Sequence, residues 1–255
     1  MCQVTKGTLY GLSLGPGDPG LITRRSWELL NSGRGWCYPV RALGSDSYAH
    51  EIVRRSGCAE PQRMVPLHFP MIHDQARLAG YWLAAAEQVR EILCSGEDLL
   101  FLVEGDASTY STFSHLQRTL LALDPTLAVE VVAGVTSYSA AAAATGRSLA
   151  DSDDTIAILP AGYGVATVEA LLPHFDTLVL LKVKPLIEDL IDLIERLQLQ
   201  EGSYFVERVG TPEERQIHDV ATLRGTTPNY LSLMIIHNPE RTRTLQHRGC
   251  RQKSD

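Results

Sequence analysis

Short apolar runs alternate with longer amphipathic stretches through the first half of the chain. Residues 7–14 form a β-like run that ends in a glycine-rich turn, and residues 99–103 are a continuous apolar run of strand length. Such a run is typical of a parallel strand that is covered on both faces. Residues 74–94 have helical spacing of apolar positions. A helix over 111–123 and a strand over 127–132 continue the alternation, which predicts an α/β fold.

The second half repeats the alternation with shorter units. Its predicted strands cover residues 155–159, 177–183, 203–206, 216–220 and 231–236, with a helix over 185–197. The last three strands are separated by turns too short for helical crossovers, which predicts that part of this sheet is antiparallel. The pattern changes near an alanine-rich helix, residues 139–145. We therefore predict domains over 1–134 and 135–242 and a disordered polar tail over 243–255.

Composition narrows the classes of function. The 255 residues are 44% apolar, enough for a sizeable core, and the net charge of −7 argues against a general nucleic-acid or membrane-surface binder. Five widely spaced cysteines without a CxxC motif disfavour a disulfide framework and a structural zinc site, and they suit a reducing cytosol. The chain has no secretory signal pattern and no apolar run of about 18 residues. We therefore expect a cytoplasmic protein outside the membrane.

The loop over residues 15–20 matches the GxGxxG pattern directly after a strand, which is typical of a dinucleotide fold. Pro16 removes an N–H from the phosphate cradle, and Asp18 places a carboxylate where phosphates would lie. The stretch about 20 residues further on has no acidic residue for a ribose. An ordinary tight turn is therefore favoured over a dinucleotide site, with Asp18 capping a helix that opens at Pro19.

Two further loops carry polar residues at strand ends. Residues 104–110 follow one predicted strand and residues 133–138 follow the next. Because parallel strands end at the same sheet edge, we expect these loops to converge on one site. The carboxylates of Glu104 and Asp106 would suit a ligand with hydroxyl or ammonium groups and would repel a phosphate.

These loops together resemble the S-adenosylmethionine-dependent tetrapyrrole methylases. That family carries a GxGPGD loop, a GDP-x-x-Y loop and a PGxTS loop, which correspond here to residues 15–18, 105–110 and 133–137. Within the family, the stretches 69–74, 110–113 and 229–233, together with Val183, resemble the branch that methylates precorrin-2 at C20. The resemblance spans residues 7–238. Ala107 and Ala133 stand where the family usually has proline, a change that we expect to loosen both turns.

The resemblance implies a fold, a donor and a set of site residues. The fold would be α/β with two αβα domains, a mixed and mostly parallel sheet in each, and S-adenosylmethionine in the cleft between them. No metal is required, and a homodimer is implied. The candidate catalytic residues are Asp106 and Tyr230. The candidate cofactor-binding residues are Pro16, Glu104, Gly105, Asp106, Thr109, Thr136, Ser137, Lys182 and Gly210.

Alternatives remain open at this point. The chain could methylate uroporphyrinogen III, a later corrin intermediate or a protein side chain, or it could be a NAD-binding oxidoreductase or a non-catalytic tetrapyrrole carrier. A cobalt site at His68 and His73 is weighed against two ordinary loop histidines, which are favoured. For the carboxylates of a tetrapyrrole substrate, the candidate cations are Arg24, Arg25, Arg41, Lys182, Lys184 and Arg208.

Overall fold

The computed structural model describes residues 5–72 and 74–241. They divide into two compact units. Unit 1 holds the described residues up to Ala144 together with Arg208–Glu214, and unit 2 holds Thr145–Glu207 and the described residues from Arg215 onward. The predicted tail, 243–255, lies outside the described residues. The domain boundaries inferred from the sequence stay a prediction.

Unit 1 contains a parallel sheet whose strand order is β3-β2-β4-β1-β5, and all four neighbouring pairs are parallel. The strands are β1 (Thr8–Ser13), β2 (Gly35–Val40), β3 (Met64–His68), β4 (Leu99–Val103) and β5 (Ala128–Val132). Every residue of β4 is buried. This confirms the interpretation of its apolar run as a strand covered on both faces.

The helices of unit 1 cover the two faces of this sheet. They are α1 (Arg24–Leu30), α2 (Tyr48–Ser56), α3 (Gln75–Cys94), α4 (Phe113–Leu123) and α5 (Ser137–Thr145), whose last residue belongs to unit 2. On one face, Phe101 packs in a cluster with Phe113 and residues of α3. On the other, Leu100 and Leu102 pack in a cluster with residues of α1 and α2. The apolar side chains of β4 therefore tie both layers together.

The helix predicted to open at Pro19 begins later. Asp18 does act as a cap, since its carboxylate accepts a hydrogen bond from Gly20 N at 2.8 Å, but it starts only a short 3-10 turn, Pro19–Leu21. Gly20 is a poor helix former, and Thr23 is extended and caps α1 by accepting from Ser26 N at 3.3 Å. The α-helix consequently starts at Arg24.

Unit 2 contains a mixed sheet of strand order β6-β7-β10-β8-β9. Its strands are β6 (Ile156–Pro160), β7 (Thr177–Leu181), β8 (Ser203–Glu207), β9 (Arg215–Ile217) and β10 (Ser232–His237), and its helices are α6 (Val165–Leu171) and α7 (Ile187–Arg196). The β6–β7 pair is parallel, and the other three pairs are antiparallel. The α/β fold and the mixed sheet are confirmed, but this sheet is not mostly parallel. The connections between β8, β9 and β10 contain no α-helix in this described part of the chain, so they cannot form helical crossovers.

The apolar face of α7 provides much of the core of unit 2. Leu190, Ile191 and Ile194 are fully buried in one cluster with Phe205 and Met234 of the sheet. None of the helices formed by residues 5–72 and 74–241 combines the length and apolar character needed to cross a membrane.

Candidate functional site

Three loops leave the same edge of the parallel sheet in unit 1. They are residues 14–18 after β1, 104–110 after β4 and 133–136 after β5. Strand β1 lies between β4 and β5, with Ser13 opposite Val103 and Leu12 opposite Val132, so the three loops begin at nearly the same level. The expected convergence of the two polar loops is therefore found. This carboxyl edge is where open α/β sheets bind ligands.

The first two of these loops are joined by a pair of backbone hydrogen bonds. Gly105 N donates to Gly15 O at 2.7 Å, and Gly15 N donates to Gly105 O at 3.1 Å. Both glycines have a positive φ, 76° and 73° respectively, which a residue with a Cβ adopts only at a cost. The two glycines of the family motifs thus have a common structural purpose, which is to let the loops pair.

Ser13 connects all three loops, a role that the sequence pattern does not predict. Its buried Oγ donates to Val132 O at 2.5 Å and accepts from Ala107 N at 2.8 Å. Its carbonyl accepts from Ser26 Oγ at 2.8 Å. A Cβ on Gly134 would lie 2.3 Å from Ser13 Cβ, so only glycine fits against this serine. A serine ending a buried strand before a glycine-rich loop is the only sequence signal for this role.

Asp106 is a buried carboxylate that links the second loop to the third. Its Oδ2 accepts from Gly134 N at 2.7 Å, and its Oδ1 accepts from Ser108 N at 2.9 Å and from Ser108 Oγ. Burial raises the pKa of Asp106, but hydrogen bonds from Ser108, Gly134 and Thr109 outweigh burial and bring the pKa below its ordinary value. Asp106 is therefore ionised at neutral pH and holds the edge loops in place.

The remaining candidates on these two loops are more accessible. Glu104 is exposed, and Thr109 lies within hydrogen-bonding reach of Asp106. Thr136 lies at the start of α5, where its Oγ1 accepts from Ser139 N at 3.3 Å, next to the half-buried Ser137. These side chains offer carboxylate and hydroxyl oxygens to a ligand at the sheet edge.

Two side chains of α2 donate hydrogen bonds to the 14–18 loop. The sequence pattern did not predict this helix. Tyr48 Oη donates to Pro16 O at 2.9 Å, and Arg55 Nη2 donates to Gly17 O. Burial raises the pKa of Tyr48 to about 12, and the negative charge of Glu104 adds to the rise. Because this phenol stays protonated at neutral pH, it remains a donor to the loop carbonyl.

Gly210 lies in unit 1 against the same loop. A Cβ on Gly210 would be 2.6 Å from Asp18 N, and one on Gly17 would be 2.5 Å from Val209 O. The structure thus brings Gly210 together with the Pro16 loop, although they are far apart in sequence. Of the predicted cofactor-binding residues, those of the three edge loops and Gly210 lie in unit 1.

Lys182 and Tyr230 lie in unit 2, near each other. Lys182 Nζ is 6.0 Å from the centroid of the Tyr230 ring, and Lys182 N donates to Ser232 O at 3.1 Å. Lys182 has a φ of 57°, in the left-handed region that non-glycine residues rarely adopt. Tyr110 and Arg208 share this conformation, with φ values of 50° and 52°. Ser152 and Gln198, which are not candidate residues, also have positive φ values, so this conformation alone does not mark the site.

The described residues provide no obvious metal centre. Among residues 5–72 and 74–241, no group of three or more histidine, cysteine, aspartate or glutamate side chains is arranged to hold an ion. His68 Nε2 lies 3.0 Å from Arg41 O, and its ring contacts Tyr81 edge-on. His73, the other histidine considered for cobalt, lies outside the described residues.

Comparison with known proteins identifies relatives of this chain. One relative, named a probable cobalt-precorrin-2 C(20)-methyltransferase of Methanocaldococcus jannaschii, is 34% identical over 71% of this chain and 75% of its own. Another, the cobalt-precorrin-2 C(20)-methyltransferase of Salmonella typhimurium, is 31% identical over 84% of this chain and 90% of its own. The cobalamin biosynthesis protein CobIJ of Mycobacterium tuberculosis is 28% identical over 91% of this chain, which spans only 46% of that longer relative.

A solved structure and a family model complete the comparison. Uroporphyrin-III C-methyl transferase of Thermus thermophilus, complexed with S-adenyl homocysteine, matches with a TM-score of 0.61 and 24% identity over 91% of this chain and 97% of its own. At that identity it shows a shared fold. The family model described as Tetrapyrrole (Corrin/Porphyrin) Methylases matches residues 8–224. The chain belongs to the tetrapyrrole (corrin/porphyrin) methylases.

Proposed function

We propose that this chain transfers the methyl group of S-adenosylmethionine to C20 of precorrin-2 or of its cobalt-containing analogue. The products are a precorrin-3A-type tetrapyrrole and S-adenosylhomocysteine. The observation that carries the proposal is the joined loop edge of unit 1, where Gly15 pairs with Gly105 and Asp106 holds Gly134. Two relatives more than 30% identical over most of the chain are named for this methylation.

The loop edge suits a sulfonium donor better than a nucleotide diphosphate. A diphosphate needs backbone N–H donors, and Pro16 has no N–H to offer. The ionised Asp106 and the exposed Glu104 make the edge negative, which favours a cationic sulfur and repels phosphate. We assign donor binding to the predicted residues, which are Pro16, Glu104, Gly105, Asp106, Thr109, Thr136, Ser137, Lys182 and Gly210.

The proposed reaction is an in-line displacement at the methyl carbon. A bond forms between C20 and the methyl carbon while the methyl–sulfur bond breaks. The electron pair of the broken bond stays on the sulfur, which becomes a neutral thioether. C20 then loses a proton. Holding carbon, methyl and sulfur in line is worth about 7–11 kcal/mol in favourable cases, so positioning supplies most of the catalysis. No residue has to form a covalent intermediate.

Asp106 and Tyr230 stay the candidates for receiving the proton from C20. Both carboxylate oxygens of Asp106 accept hydrogen bonds, and its pKa is lowered, so it is a weak base at neutral pH. This favours a positioning role for Asp106. Tyr230 is half-buried, and Lys182 Nζ lies 6.0 Å from the centroid of its ring.

The test is incubation of the purified chain with methyl-labelled S-adenosylmethionine and precorrin-2. We expect one labelled methyl group at C20 and an equal amount of S-adenosylhomocysteine. Tyr230→Phe should lower kcat, whereas Tyr163→Phe, which removes an exposed tyrosine of unit 2, should not. Methylation of uroporphyrinogen III without methylation of precorrin-2 would overturn the C20 assignment.

The alternatives have weaker support. Family membership removes the reason to favour a NAD-binding oxidoreductase, and calorimetry with S-adenosylhomocysteine and with NAD checks this. The feature that favours a non-catalytic carrier is the presence of Ala107 and Ala133 where the family usually has proline. Ala107 N, however, donates to Ser13 Oγ, so this turn has a hydrogen bond that proline cannot make. A homodimer and a cytoplasmic location belong to the same proposal, and light scattering and cell fractionation test them.

A further inference from the structure

Unit 1 contains a cavity that the methyl-transfer chemistry does not use. Its volume is about 410 Å³, and its walls are the β2–α2 connection, one side of α2 and the segment Arg208–Glu214, all of which belong to unit 1. We propose that this cavity binds a carboxylate arm of the tetrapyrrole substrate, an acetate or propionate group. This inference rests on the proposed function, because it names the part of that substrate which the cavity takes.

Ser47 is the strongest feature of the cavity wall. The residue is only 6% exposed, yet its Oγ has no hydrogen-bond partner among the described residues. It precedes α2 at the N-cap position without capping the helix through its side chain. The first helical hydrogen bond runs from Glu51 N to Ser47 O, so the preceding backbone N–H groups of α2 are left for another acceptor. A buried hydroxyl and a helix N-terminus together favour an anionic ligand.

Two arginines of the cavity wall also have unused donors. The Nε atoms of Arg55 and Arg208 are buried and have no partner within the part of the chain that the structure describes. Each guanidinium is otherwise engaged, Arg55 with Gly17 O and Arg208 with Glu213 at 3.2 Å. Guanidinium N–H groups can only donate, so an acceptor is the chemistry that these positions lack.

The charge balance indicates what kind of anion fits. The formal charges of the lining side chains cancel, with three arginines, Arg41, Arg55 and Arg208, and three carboxylates, Asp46, Glu51 and Glu213. A strongly charged phosphate would gain little from this neutral surface. A single carboxylate on a neutral carbon arm needs only local donors. The cavity volume leaves room for the arm and the ring atoms next to it.

The location connects the cavity to the donor loop. Tyr48 lines the cavity and donates to Pro16 O, and Arg55 lines it and donates to Gly17 O. A carboxylate bound here would therefore anchor the substrate beside the loop that we assign to the donor. This arrangement gives the arm a positioning function for the reacting carbon.

Ser47→Ala is the sharpest test. Because Ser47 Oγ has no partner elsewhere in the described chain, its removal should leave the thermal unfolding temperature unchanged or slightly higher. The KM for precorrin-2 should rise about tenfold, as expected for one lost hydrogen bond to a charged group, while the KM for S-adenosylmethionine stays constant. Arg208→Gln should act in the same direction. Arg54→Gln, an exposed neighbour on α2 outside the cavity, is the matched control and should change neither KM.

The outcomes separate this inference from the proposed function. Normal turnover of precorrin-2 with an unchanged substrate KM in both Ser47→Ala and Arg208→Gln would overturn the cavity assignment alone. If the wild-type chain methylates neither precorrin-2 nor its cobalt-containing analogue, the proposed function fails, and quenching of tryptophan fluorescence by uroporphyrin III then tests the cavity. Weaker quenching in both variants than in Arg54→Gln would support a carboxylate site. Equal affinity, or no binding by the wild type, would overturn it.

Discussion

Asp106 accepts a hydrogen bond from Gly134 N at 2.7 Å, and through this bond a buried carboxylate of one edge loop holds the backbone of the next. The same carboxylate accepts from Ser108 N at 2.9 Å through its other oxygen. Both oxygens are therefore engaged, which requires the ionised form with acceptors on both sides. The acidic residue of the family motif therefore has a structural function, because it holds the backbone of two edge loops.

Asp106→Asn should destabilise unit 1 by about 1–3 kcal/mol. An amide keeps one acceptor oxygen but places an NH2 group against either Ser108 N or Gly134 N, so one of these two backbone donors loses its partner. Denaturant unfolding measures the loss. Asp18→Asn is the control, since that residue is exposed and asparagine caps a turn as well as aspartate does. Equal stability of the two variants would contradict the linking function.

The same hydrogen bonds make the free energy of unfolding depend on pH in the acidic range. The pKa of Asp106 is lower in the folded chain than its ordinary value of about 4, so its contribution is present above that pH. It is lost as pH falls through the lower folded-state pKa. Below about pH 4 the wild type should therefore lose stability more steeply than Asp106→Asn. If the stability of the two proteins falls equally with pH, the hydrogen bonds to the carboxylate do not stabilise its ionised form.

Ala107→Pro should destabilise the chain, although proline is usual in the family at this position. The substitution removes the N–H that donates to the buried Ser13 Oγ at 2.8 Å. Losing that bond costs about 1–3 kcal/mol, and the rigidity of proline returns about 0.4–1 kcal/mol, so a net loss of about 1 kcal/mol is expected. Ala133→Pro, at the exposed counterpart, should cost less. Thermal unfolding of both variants decides, and a more stable Ala107→Pro would contradict this prediction.

The convergence of the edge loops could be predicted because it depends only on strand order. Buried β4 and the strand over 127–132 are evident from apolar runs, and the carboxyl ends of parallel strands share an edge. The antiparallel part of unit 2 was predictable from short connections, but its extent was not. Strand β7 pairs with β6 on one side and with β10 on the other. Which strand pairs with β7 on that second side depends on packing across the whole sheet.

The contacts around the 14–18 loop could not be predicted. Tyr48 and Arg55 donate to backbone carbonyls of residues more than 30 positions away, and such a contact leaves no periodic pattern. The sequence does contain one signal for α2, which is Gly57, since glycine often follows the last residue of a helix. In the structure Gly57 ends α2 with a φ of 76°. The role of Ser13 could not be predicted for a related reason, because its partners are backbone groups far away in sequence.

Gly210→Ala should disrupt the 14–18 loop more than the positive φ of Gly210 alone would. Its φ is 77°, and a Cβ there would lie 2.6 Å from Asp18 N. Gly33 also has a φ of 77°, but nothing lies within 4 Å of its Cβ position, so Gly33→Ala is a matched control for backbone strain. Strain alone costs about 1–2 kcal/mol, and the contact should add about 1–3 kcal/mol in Gly210→Ala. Calorimetry should also show weaker binding of S-adenosylhomocysteine only for Gly210→Ala. Equal losses of stability in both variants would exclude the contact as a cause.

Tyr48→Phe should change the behaviour of the chain in alkali. Burial, with the charge of Glu104, raises the pKa of Tyr48 to about 12, while an unfolded tyrosine has a pKa of about 10. The stability from the neutral phenol is therefore fully present below about pH 10 and is lost as pH rises towards 12. Tyr48→Phe lacks this alkaline loss and, at neutral pH, should be less stable by about 1 kcal/mol because Pro16 O loses its donor.

Ultraviolet difference spectra of phenolate formation measure the titration directly. The wild-type spectrum should contain a step near pH 12 that Tyr48→Phe lacks and that Tyr163→Phe, which removes an exposed tyrosine, retains. If the step lost in Tyr48→Phe lies near pH 10 instead, the phenol is open to solvent. Tyr48 would then not hold the Pro16 carbonyl, and Arg55 and the Gly105 pairing would still hold the 14–18 loop.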